Sequence, residues 1–427
     1  MALLLFLSFF VLMIVGVPVT FSLAISACFA LFVEGRYPML VIVKEMFTGL
    51  DSFPLMAVPF FILAADIMSS GAMTRVLLRF ASQLVGHLRG GLGYANILSS
   101  TFFAGISGSA LADAAGPGAM MIRMMDEGGY HRSYAGALTA ATAVVGPIIP
   151  PSIIMILYAM QDESVSVGAL FMAGILPGLL ISCAMATVNW YISRKRQYRA
   201  GDKMPPAREL VRGTIHALPA LFLIVIIIGG IRLGVFTPTE ASVIAVFYAL
   251  LCGKFVYRSL RLRDLPDILL KSGLISTAVL LILAGARAFA WVLIIERIPQ
   301  ELADMIVGWH LHPLAFLLCV NILLLIFGLF MDPLPGVMIL TPILAPIALS
   351  LGIDPIHFAI VTIVNLTLGM ITPPVGGLLF VVSLVARIKS GDLIREMPPF
   401  MVAHLLILML LTLVPALSTW LPKASGF

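Results

Sequence analysis

The stretch GPIIPPS, from Gly146 to Ser152, interrupts a helical apolar run that reads ALTAATAVV before it and IIMILYAM after it. Proline has no backbone N–H and its ring clashes with the preceding turn. The three prolines of this stretch therefore unwind the helix and leave backbone carbonyls unpaired. Within a membrane, such a break persists only where it is buried in protein or lines a polar cavity. The stretch predicts a broken membrane helix with a function at the break.

The composition is that of an integral membrane protein. Of 427 residues, 61% are hydrophobic and 11% are charged, and the mean hydropathy is +1.09. Apolar runs of about 20 residues recur along the chain, as expected for helices that cross a hydrocarbon core of roughly 30 Å. The first run, ALLLFLSFFVLMIVGV, has no basic leader or A-x-A cleavage site, so it is predicted to be a retained helix. The basic residues lie in short loops, which favours a topological role over nucleic-acid binding.

The distribution of basic residues predicts the topology. Twenty of the 26 Lys and Arg residues lie in segments 75–89, 123–132, 194–212, 254–271 and 387–395. These segments are predicted to be cytoplasmic, because cytoplasmic loops carry an excess of Lys and Arg. All the assignments agree if both chain ends lie outside and residues 95–122 and 314–350 each return to the side from which they enter. Those two segments are therefore predicted to be re-entrant hairpins.

The chain contains two diverged copies of one pattern. GISGSALADAAGPGAMM and GLFMDPLPGVMILTP each interrupt an apolar run, and GPIIPPSI and GMITPPVGG follow them at similar distances. The pairs that align at a constant offset of 223 residues are Gly105 with Gly328, Gly146 with Gly369, Pro150 with Pro373, and Pro151 with Pro374. The basic loops place the two hairpins on opposite sides, so the copies are predicted to be inverted. Interrupted segments at matching positions of inverted repeats indicate a transport site at the membrane midplane.

Each predicted break exposes carbonyls that suit a hard cation. A helix C-terminus carries about half a negative charge, and sodium prefers oxygen ligands. The first predicted sodium site comprises Ser107, Gly108, Ser109, Gly146 and Pro147. The second comprises Met331, Asp332, Pro333, Gly369, Met370 and Thr372. Sodium is the only metal predicted, and no other cofactor is. The alternative is that the Pro-Pro kinks only bend packed helices.

Polar side chains near the two breaks form the predicted substrate set. Its members are Thr139, Thr142, Ser152, Asn365, Thr367 and, at the first hairpin tip, Asp113. An ionisable residue inside a membrane is a functional hypothesis by default. Each hydroxyl or amide has the alternative role of joining packed helices.

Four other charged residues allow structural interpretations. Asp66 and Arg287 lie in corresponding helices of the two copies, and each either pairs with another group or contacts the substrate. Arg232 and Glu240 flank the GVFTPTE turn and are predicted to form an ion pair at the membrane interface.

Four motifs together resemble the large membrane subunit of tripartite ATP-independent periplasmic (TRAP) transporters, the DctM-like family. They are SGSALADAAGPGAMMIRMM, GPIIPPSIIMILYA, GVFTPTEAS and NLTLGMITPPVGGLLFVV. The resemblance covers essentially the whole chain. It implies an all-α polytopic protein of the bacterial inner membrane, in which a scaffold carries a moving elevator domain with two hairpins, two sodium sites and a substrate site. It also implies a small four-helix membrane subunit and a periplasmic substrate-binding protein as partners, the small subunit being expected here as a separate chain.

The resemblance divides the chain into scaffold and transport segments. In repeat 1, it implies scaffold helices over 1–53, an arm helix and cytoplasmic connection over 54–90, and a transport-domain hairpin and broken helix over 91–167. A connecting helix and basic loop over 168–213 lead to repeat 2. The corresponding segments of repeat 2 are expected over 214–271, 272–312 and 313–386, followed by a C-terminal helix over 387–427.

The expected activity is sodium-coupled import of a carboxylate-bearing organic anion, with a lean toward sialic acid or another sugar acid over C4-dicarboxylates. The alternative is a stand-alone sodium- or proton-coupled anion symporter without a binding protein. An intramembrane aspartyl protease using Asp66 and Asp332 is disfavoured, because these residues do not occupy corresponding positions in the repeats. An ATP-driven pump is disfavoured because no G-x-x-x-x-G-K-[ST] loop occurs. The chain is therefore predicted not to be an enzyme.

Overall fold

The structure is a computed structural model that describes residues 1–69, 72–198, 204–308, 311–373 and 376–427. Within these ranges the regular structure is helical. The helices of the first half are α1 Ala2–Ile14, α2 Val19–Glu34, α3 Leu40–Leu50, α4 Ala57–Ser69, α5 Ala72–Val85, α6 Gly91–Ser107, α7 Ala110–Asp113, α8 Ala119–Glu127, α9 Arg132–Ala143, α10 Ile153–Gln161 and α11 Val167–Lys195. Those of the second half are α12 Ala207–Arg232, α13 Pro238–Leu251, α14 Leu265–Ile295, α15 Ile298–Gly308, α16 Pro313–Phe330, α17 Pro333–Ser350, α18 Pro355–Gly369, α19 Gly377–Ala386, α20 Ser390–Glu396, α21 Pro398–Leu413 and α22 Ala416–Ala424.

Several of these helices are long and apolar enough to cross a membrane. Among the described residues, six helices qualify, namely α11, α12, α13 with its π-helical extension to Val256, α14, α16 and α17. The number rises to eight if two bent pairs are counted, α3 with Phe53–Ser69 at 64° and α20 with α21 at 54°. The structure thus confirms a helical polytopic membrane protein.

Both predicted interruptions occur as breaks between helices. The first separates α9 from α10 over residues 144–152, and the second separates α18 from α19 after Gly369. Pro374, an aligned residue of the second break, lies outside the described residues. Each break follows a helical hairpin, formed by α6 with α7 and α8 in the first half and by α16 with α17 in the second.

The two halves pack against each other in matching ways. The first helix of each hairpin packs on the first part of the broken helix that follows it, α6 on α9 and α16 on α18. The second part of each broken helix packs on the hairpin of the other half, α10 on α17 and α19 on α8. Outside the hairpins, α2 packs on α14 and α4 packs on α13. Each half therefore completes the core of the other.

The predicted ion pair between Arg232 and Glu240 is wrong. Glu240 instead forms a capping box at the start of α13, where its carboxylate accepts hydrogen bonds from the Thr237 backbone N–H at 2.8 Å and the Thr237 hydroxyl at 2.9 Å. The Thr237 hydroxyl in turn accepts from the Glu240 backbone N–H at 3.3 Å. The capping box satisfies backbone groups in the first turn of the helix, and its hydrogen bonds hold the Glu240 carboxylate at its own helix end and away from Arg232.

Thr237→Ala is expected to lower the free energy of unfolding by about 1 kcal/mol, because it removes the N-cap of α13. Arg232→Gln is the matched control and should leave stability unchanged, since Arg232 forms no ion pair with a described residue. Thermal unfolding of the two purified variants in the same detergent measures both effects. An equal loss of stability in Arg232→Gln would mean that Arg232 does form a stabilising interaction, as the ion-pair prediction required.

Candidate functional site

The first hairpin turns at Gly108 and Ser109. Gly108 ends α6 in the left-handed conformation, with φ 61°, which glycine adopts without a Cβ penalty. Ser109 then caps α7 by accepting a weak hydrogen bond from the Ala112 N–H at 3.4 Å. Ser107, the last residue of α6, donates its hydroxyl proton to Asp113 Oδ1 at 2.5 Å. The tip therefore carries a carboxylate held in place by a neighbouring serine.

Asp113 faces the break in the following helix. It is only 3% exposed, and its Oδ2 atom has no hydrogen-bond partner among the described residues. A Cβ added to Gly146 would lie 2.8 Å from this oxygen and 3.1 Å from the Ser109 carbonyl carbon. A Cβ on Gly108 would likewise collide with the Pro151 carbonyl oxygen. Glycine at both positions lets the tip and the break touch, and it leaves a buried carboxylate oxygen between them.

Ser152, the last residue of the first break, forms hydrogen bonds on both sides of the break. The Ser152 hydroxyl donates to the Pro147 carbonyl at 2.5 Å and accepts from the Met155 N–H at 3.2 Å, which caps α10. The Pro150–Pro151 peptide bond is cis. Ser152 thus satisfies one carbonyl that the prolines release and one N–H of the new helix.

The second hairpin approaches its broken helix through a pair of glycines. A Cβ on Gly369 would lie 2.6 Å from both the Cα and the carbonyl carbon of Gly328. At the tip, Asp332 is exposed and caps α17 by accepting from the Leu334 N–H at 3.2 Å. The chain then leaves α18 through Met370, whose carbonyl accepts from the Leu378 N–H at 3.1 Å. In the second half, close backbone contact is therefore made between α16 and α18 at these glycines.

One cavity, which we call the tip cavity, joins both hairpins and both breaks. It encloses about 360 Å³ of empty space, open mouth included. Its lining residues from the first half are Gly108, Ser109, Ala110, Leu111, Pro147, Ile153 and Ile154, and those from the second half are Asp332, Pro333, Leu334 and Met370. The two interrupted regions, 223 residues apart in sequence, therefore meet around one space.

The helix ends around the tip cavity differ in their partial charge. The N-termini of α10 and α17 contribute lining residues, and a helix N-terminus carries about half a positive charge, which attracts anions. One N–H of each N-terminus is already capped, that of α17 by the Asp332 carboxylate and that of α10 by the neutral Ser152 hydroxyl. The C-terminal ends of α6 and α18 contribute Gly108 and Met370, and these ends attract cations. The helix ends around the cavity thus present partial charges of both signs.

The whole chain matches one family of membrane transport proteins. Residues 6–417 match the family described as the tripartite ATP-independent periplasmic transporter, DctM component. The chain belongs to this family. DctM proteins are transporter permease components of the inner membrane, so the predicted family, location and non-enzymatic class agree with the comparison.

Curated relatives of this DctM protein cover nearly its full length. It is 40% identical over 412 residues to the sialic acid TRAP transporter large permease protein SiaM of Vibrio cholerae, with 96% of each chain covered. It is 42% identical over 382 residues to the C4-dicarboxylate large permease DctM of Pseudomonas aeruginosa, covering 90% of this chain and 89% of that one. It is 34% identical to the 2,3-diketo-L-gulonate large permease YiaN of Escherichia coli, with 94% of each covered.

Solved structures share the fold at low sequence identity. The Alcanivorax borkumensis YdaH transporter superposes with a TM-score of 0.60 at 16% identity, covering 87% of this chain and 86% of that one. Neisseria gonorrhoeae MtrF superposes with a TM-score of 0.55 at 15% identity, covering 88% and 83%. The DctM chain therefore folds like these transporters.

The predicted sodium residues of the DctM protein fall into two groups in the structure. Six of them line the tip cavity, namely Gly108, Ser109, Pro147, Asp332, Pro333 and Met370. Others support its walls: Ser107 and Gly146 contact Asp113, and Gly369 contacts Gly328. Met331 is buried, and the Thr372 hydroxyl donates to the Leu368 carbonyl at 2.9 Å. Asp113, assigned to the substrate set, lies with the first sodium group.

None of the predicted substrate residues, Asp113 included, is among the residues that line the tip cavity. The Thr139 hydroxyl accepts from the Asn96 amide at 2.7 Å, and the Thr142 hydroxyl accepts from the Ser100 hydroxyl at 3.1 Å, so both join α9 to α6. The Asn365 amide donates to Asn321 Oδ1 at 2.8 Å and joins α18 to α16.

Two further members of the set bond to nearby carbonyls. Thr367 donates to the Val364 carbonyl at 2.8 Å, and Ser152 bonds within its own break. Substrate contact by these five residues therefore stays a prediction. The contacts of Thr139, Thr142 and Asn365 support helix packing, whereas those of Thr367 and Ser152 lie within their own segments.

Sequence reasoning missed two kinds of site residue. The apolar lining of the tip cavity, Leu111, Ile153, Ile154 and Leu334, carries no signal that separates it from other membrane residues. A sequence signal does exist for Asn96, Ser100 and Asn321, which form hydrogen bonds with polar residues of the broken helices. They are polar residues in the first helix of each hairpin, at positions that face the following broken helix.

Asp66 and Arg287 both have structural partners. Asp66 accepts from Lys271 Nζ at 2.6 Å and from the Ser272 hydroxyl at 2.8 Å, which joins α4 to α14. Arg287 Nε lies 4.0 Å from Glu45 Oε2, which joins α14 to α3. Of the two interpretations, the structure supports pairing with other groups.

Proposed function

We propose that this chain is the membrane permease of a sodium-coupled importer that takes a carboxylate-bearing organic anion from a periplasmic binding protein. The observation that carries the proposal is the tip cavity, where both hairpins and both breaks meet. Helix N-termini there suit a carboxylate, and helix C-termini together with the Asp113 carboxylate suit sodium. Sodium bound beside an anion also offsets its charge in a region of low dielectric.

The mechanism that we propose is of the elevator type. Sodium binds first at each tip and draws the tip onto its broken helix, which completes the carboxylate site between them. The domain formed by α6–α10 and α16–α19 then moves as a body along the remaining helices. The matching packing of the two halves supports an inverted repeat, because α10 packs on α17 as α19 packs on α8.

The tripartite family name supports two further partners. We expect a small four-helix membrane subunit and a soluble periplasmic substrate-binding protein. The relatives named above are named for transport of sialic acid, C4-dicarboxylates and 2,3-diketo-L-gulonate, and all three ligands carry a carboxylate. We favour a sugar acid for this chain, and sialic acid is the first substrate to test.

Uptake of labelled sialic acid into proteoliposomes tests the proposal. The vesicles contain this chain and its small subunit, and the binding protein is added outside with or without an inward sodium gradient. We expect uptake that requires both sodium and the binding protein. If more sodium charges than substrate charges move, a negative interior should also accelerate uptake, because the membrane potential contributes about 2.3 kcal/mol per net charge per 100 mV.

Three other outcomes would change or contradict the assignment. Uptake without the binding protein would favour a stand-alone symporter. Uptake of C4-dicarboxylate but not of sialic acid would retain the mechanism and replace the substrate. Uptake of neither anion, by vesicles in which sodium binding is still measurable, would contradict the import function.

A further inference from the structure

A second polar cleft lies between α5 and α12, apart from the tip cavity. The two helices are in contact at Gly213, where an added Cβ would collide with Gln83 Oε1. The cleft that opens beside this contact encloses about 830 Å³, open mouth included. Its lining residues are Val76, Arg79, Phe80, Gln83, Glu209, Arg212, Gly213 and His216. It is thus built from both helices and not from one surface.

The charges of the cleft favour an anion. Arg79 stands on the α5 wall, and Arg212 stands on the α12 wall. Neither arginine forms an ion pair with a described residue, so both guanidinium groups keep their hydrogen-bond donors. One carboxylate, that of Glu209, also lines the cleft and opposes an anion. His216 Nδ1 lies at hydrogen-bond distance, 2.8 Å, from the Arg212 carbonyl oxygen in the same helix. Guanidinium groups are the donors that suit a phosphate, and here two of them line one cleft.

The surroundings of the cleft are those of a membrane surface. α5 buries Met73, Leu77 and Leu78 while it exposes Arg75 and Arg79, as an amphipathic helix does when it lies at the interface.

The neighbouring face of α12 is apolar and uncovered. Val211, Ile215 and Leu218 are 57%, 63% and 57% exposed. The loop charges place this end of both helices on the cytoplasmic side, where the leaflet carries anionic lipids.

We propose that the cleft between α5 and α12 binds the headgroup phosphate of an anionic phospholipid of the cytoplasmic leaflet. Arg79 and Arg212 clamp the phosphate from opposite walls, and the acyl chains lie along the exposed apolar face of α12. A lipid suits both parts of the surface, whereas a free phosphate would use only the charged part. The proposal does not depend on the transport function, because lipid binding is measured without substrate or sodium.

Lipid retention by the full-length purified chain tests the site. The protein in mild detergent is incubated with phosphatidylglycerol and phosphatidylcholine of matched acyl chains, and retained lipid is quantified by mass spectrometry after the excess is removed. Wild type should prefer phosphatidylglycerol. Arg79→Gln and Arg212→Gln should each weaken its retention about fivefold, since one basic residue near a lipid headgroup contributes about that factor.

Two further variants separate the cleft from general surface charge. Glu209→Gln should strengthen phosphatidylglycerol retention, because it removes the opposing carboxylate. Arg75→Gln removes an exposed arginine of α5 that does not line the cleft, and retention should stay close to wild type. Equal losses in Arg75→Gln and Arg79→Gln would overturn the proposal.

Two other results would contradict a lipid at this site. Displacement of phosphatidylglycerol by millimolar inorganic phosphate would show a site for free phosphate. Release of a co-purified protein by the Arg79 and Arg212 substitutions, with lipid retention unchanged, would show that a protein partner covers the cleft.

Discussion

Asp113→Asn is expected to raise the sodium concentration for half-maximal uptake at least tenfold. The carboxylate is buried against Gly146, and its Oδ2 atom has no partner among the described residues. An interaction of a charged group of this kind contributes about 1.5–3 kcal/mol, which corresponds to one or two orders of magnitude in affinity. The amide keeps a hydrogen bond with Ser107 available but removes the charge that attracts the cation.

Sodium titration of uptake in proteoliposomes measures this effect. Asp126→Asn is the matched control, because Asp126 is an exposed carboxylate at the end of the same hairpin. Its substitution should leave sodium activation unchanged. Thermal unfolding of Asp113→Asn without sodium checks that the fold persists. An unchanged sodium requirement in a stable Asp113→Asn protein would remove this carboxylate from the sodium site.

Gly369→Ala is expected to abolish most transport by separating the second hairpin from its broken helix. The new Cβ would lie 2.6 Å from the Gly328 Cα and carbonyl carbon, and backbone atoms in a packed helix pair cannot rotate away. Overpacking of this kind costs about 1–3 kcal/mol and moves the helices apart. Met370, the next residue, lines the tip cavity, so the displacement reaches the site directly.

The glycines of this region predict an order of effects. Gly328→Ala should be milder, because its Cβ would meet the Gly369 Cα at 3.0 Å. Gly377→Ala, at the start of α19, has no atom of a described residue within 4 Å of the new Cβ and should retain normal uptake. Uptake and melting temperature of the three variants test the order. Normal transport by Gly369→Ala would show that close approach of these helices is not required.

Local sequence signals located most of the fold. Proline and glycine act on the backbone of their own segment, so the positions of the two breaks and the two hairpin tips could be read directly. The family followed from motifs that cover the whole chain, as the match over residues 6–417 shows. The cation sites predicted at the breaks rest on helix-end dipoles, which are also a local property.

The candidate site was harder to predict because it depends on which groups find partners. Thr139, Thr142 and Asn365 carry the same polar groups that a substrate site would need, yet their contacts are with Asn96, Ser100 and Asn321. Nothing in their own segments distinguishes a paired polar group from a free one. In a membrane interior the distinction is decisive, since an unpaired polar group is costly there.

By itself, the sequence determined that this chain is a helical membrane protein of the DctM family, interrupted at two related places. Only the tertiary structure decided that both interruptions meet at one cavity, that the Asp113 carboxylate faces Gly146, and that Glu240 caps its own helix. The physical reason is the range of the interactions. Backbone breaks and dipoles arise within a few residues, whereas the pairing of buried polar groups depends on helices that are distant in sequence and adjacent in space.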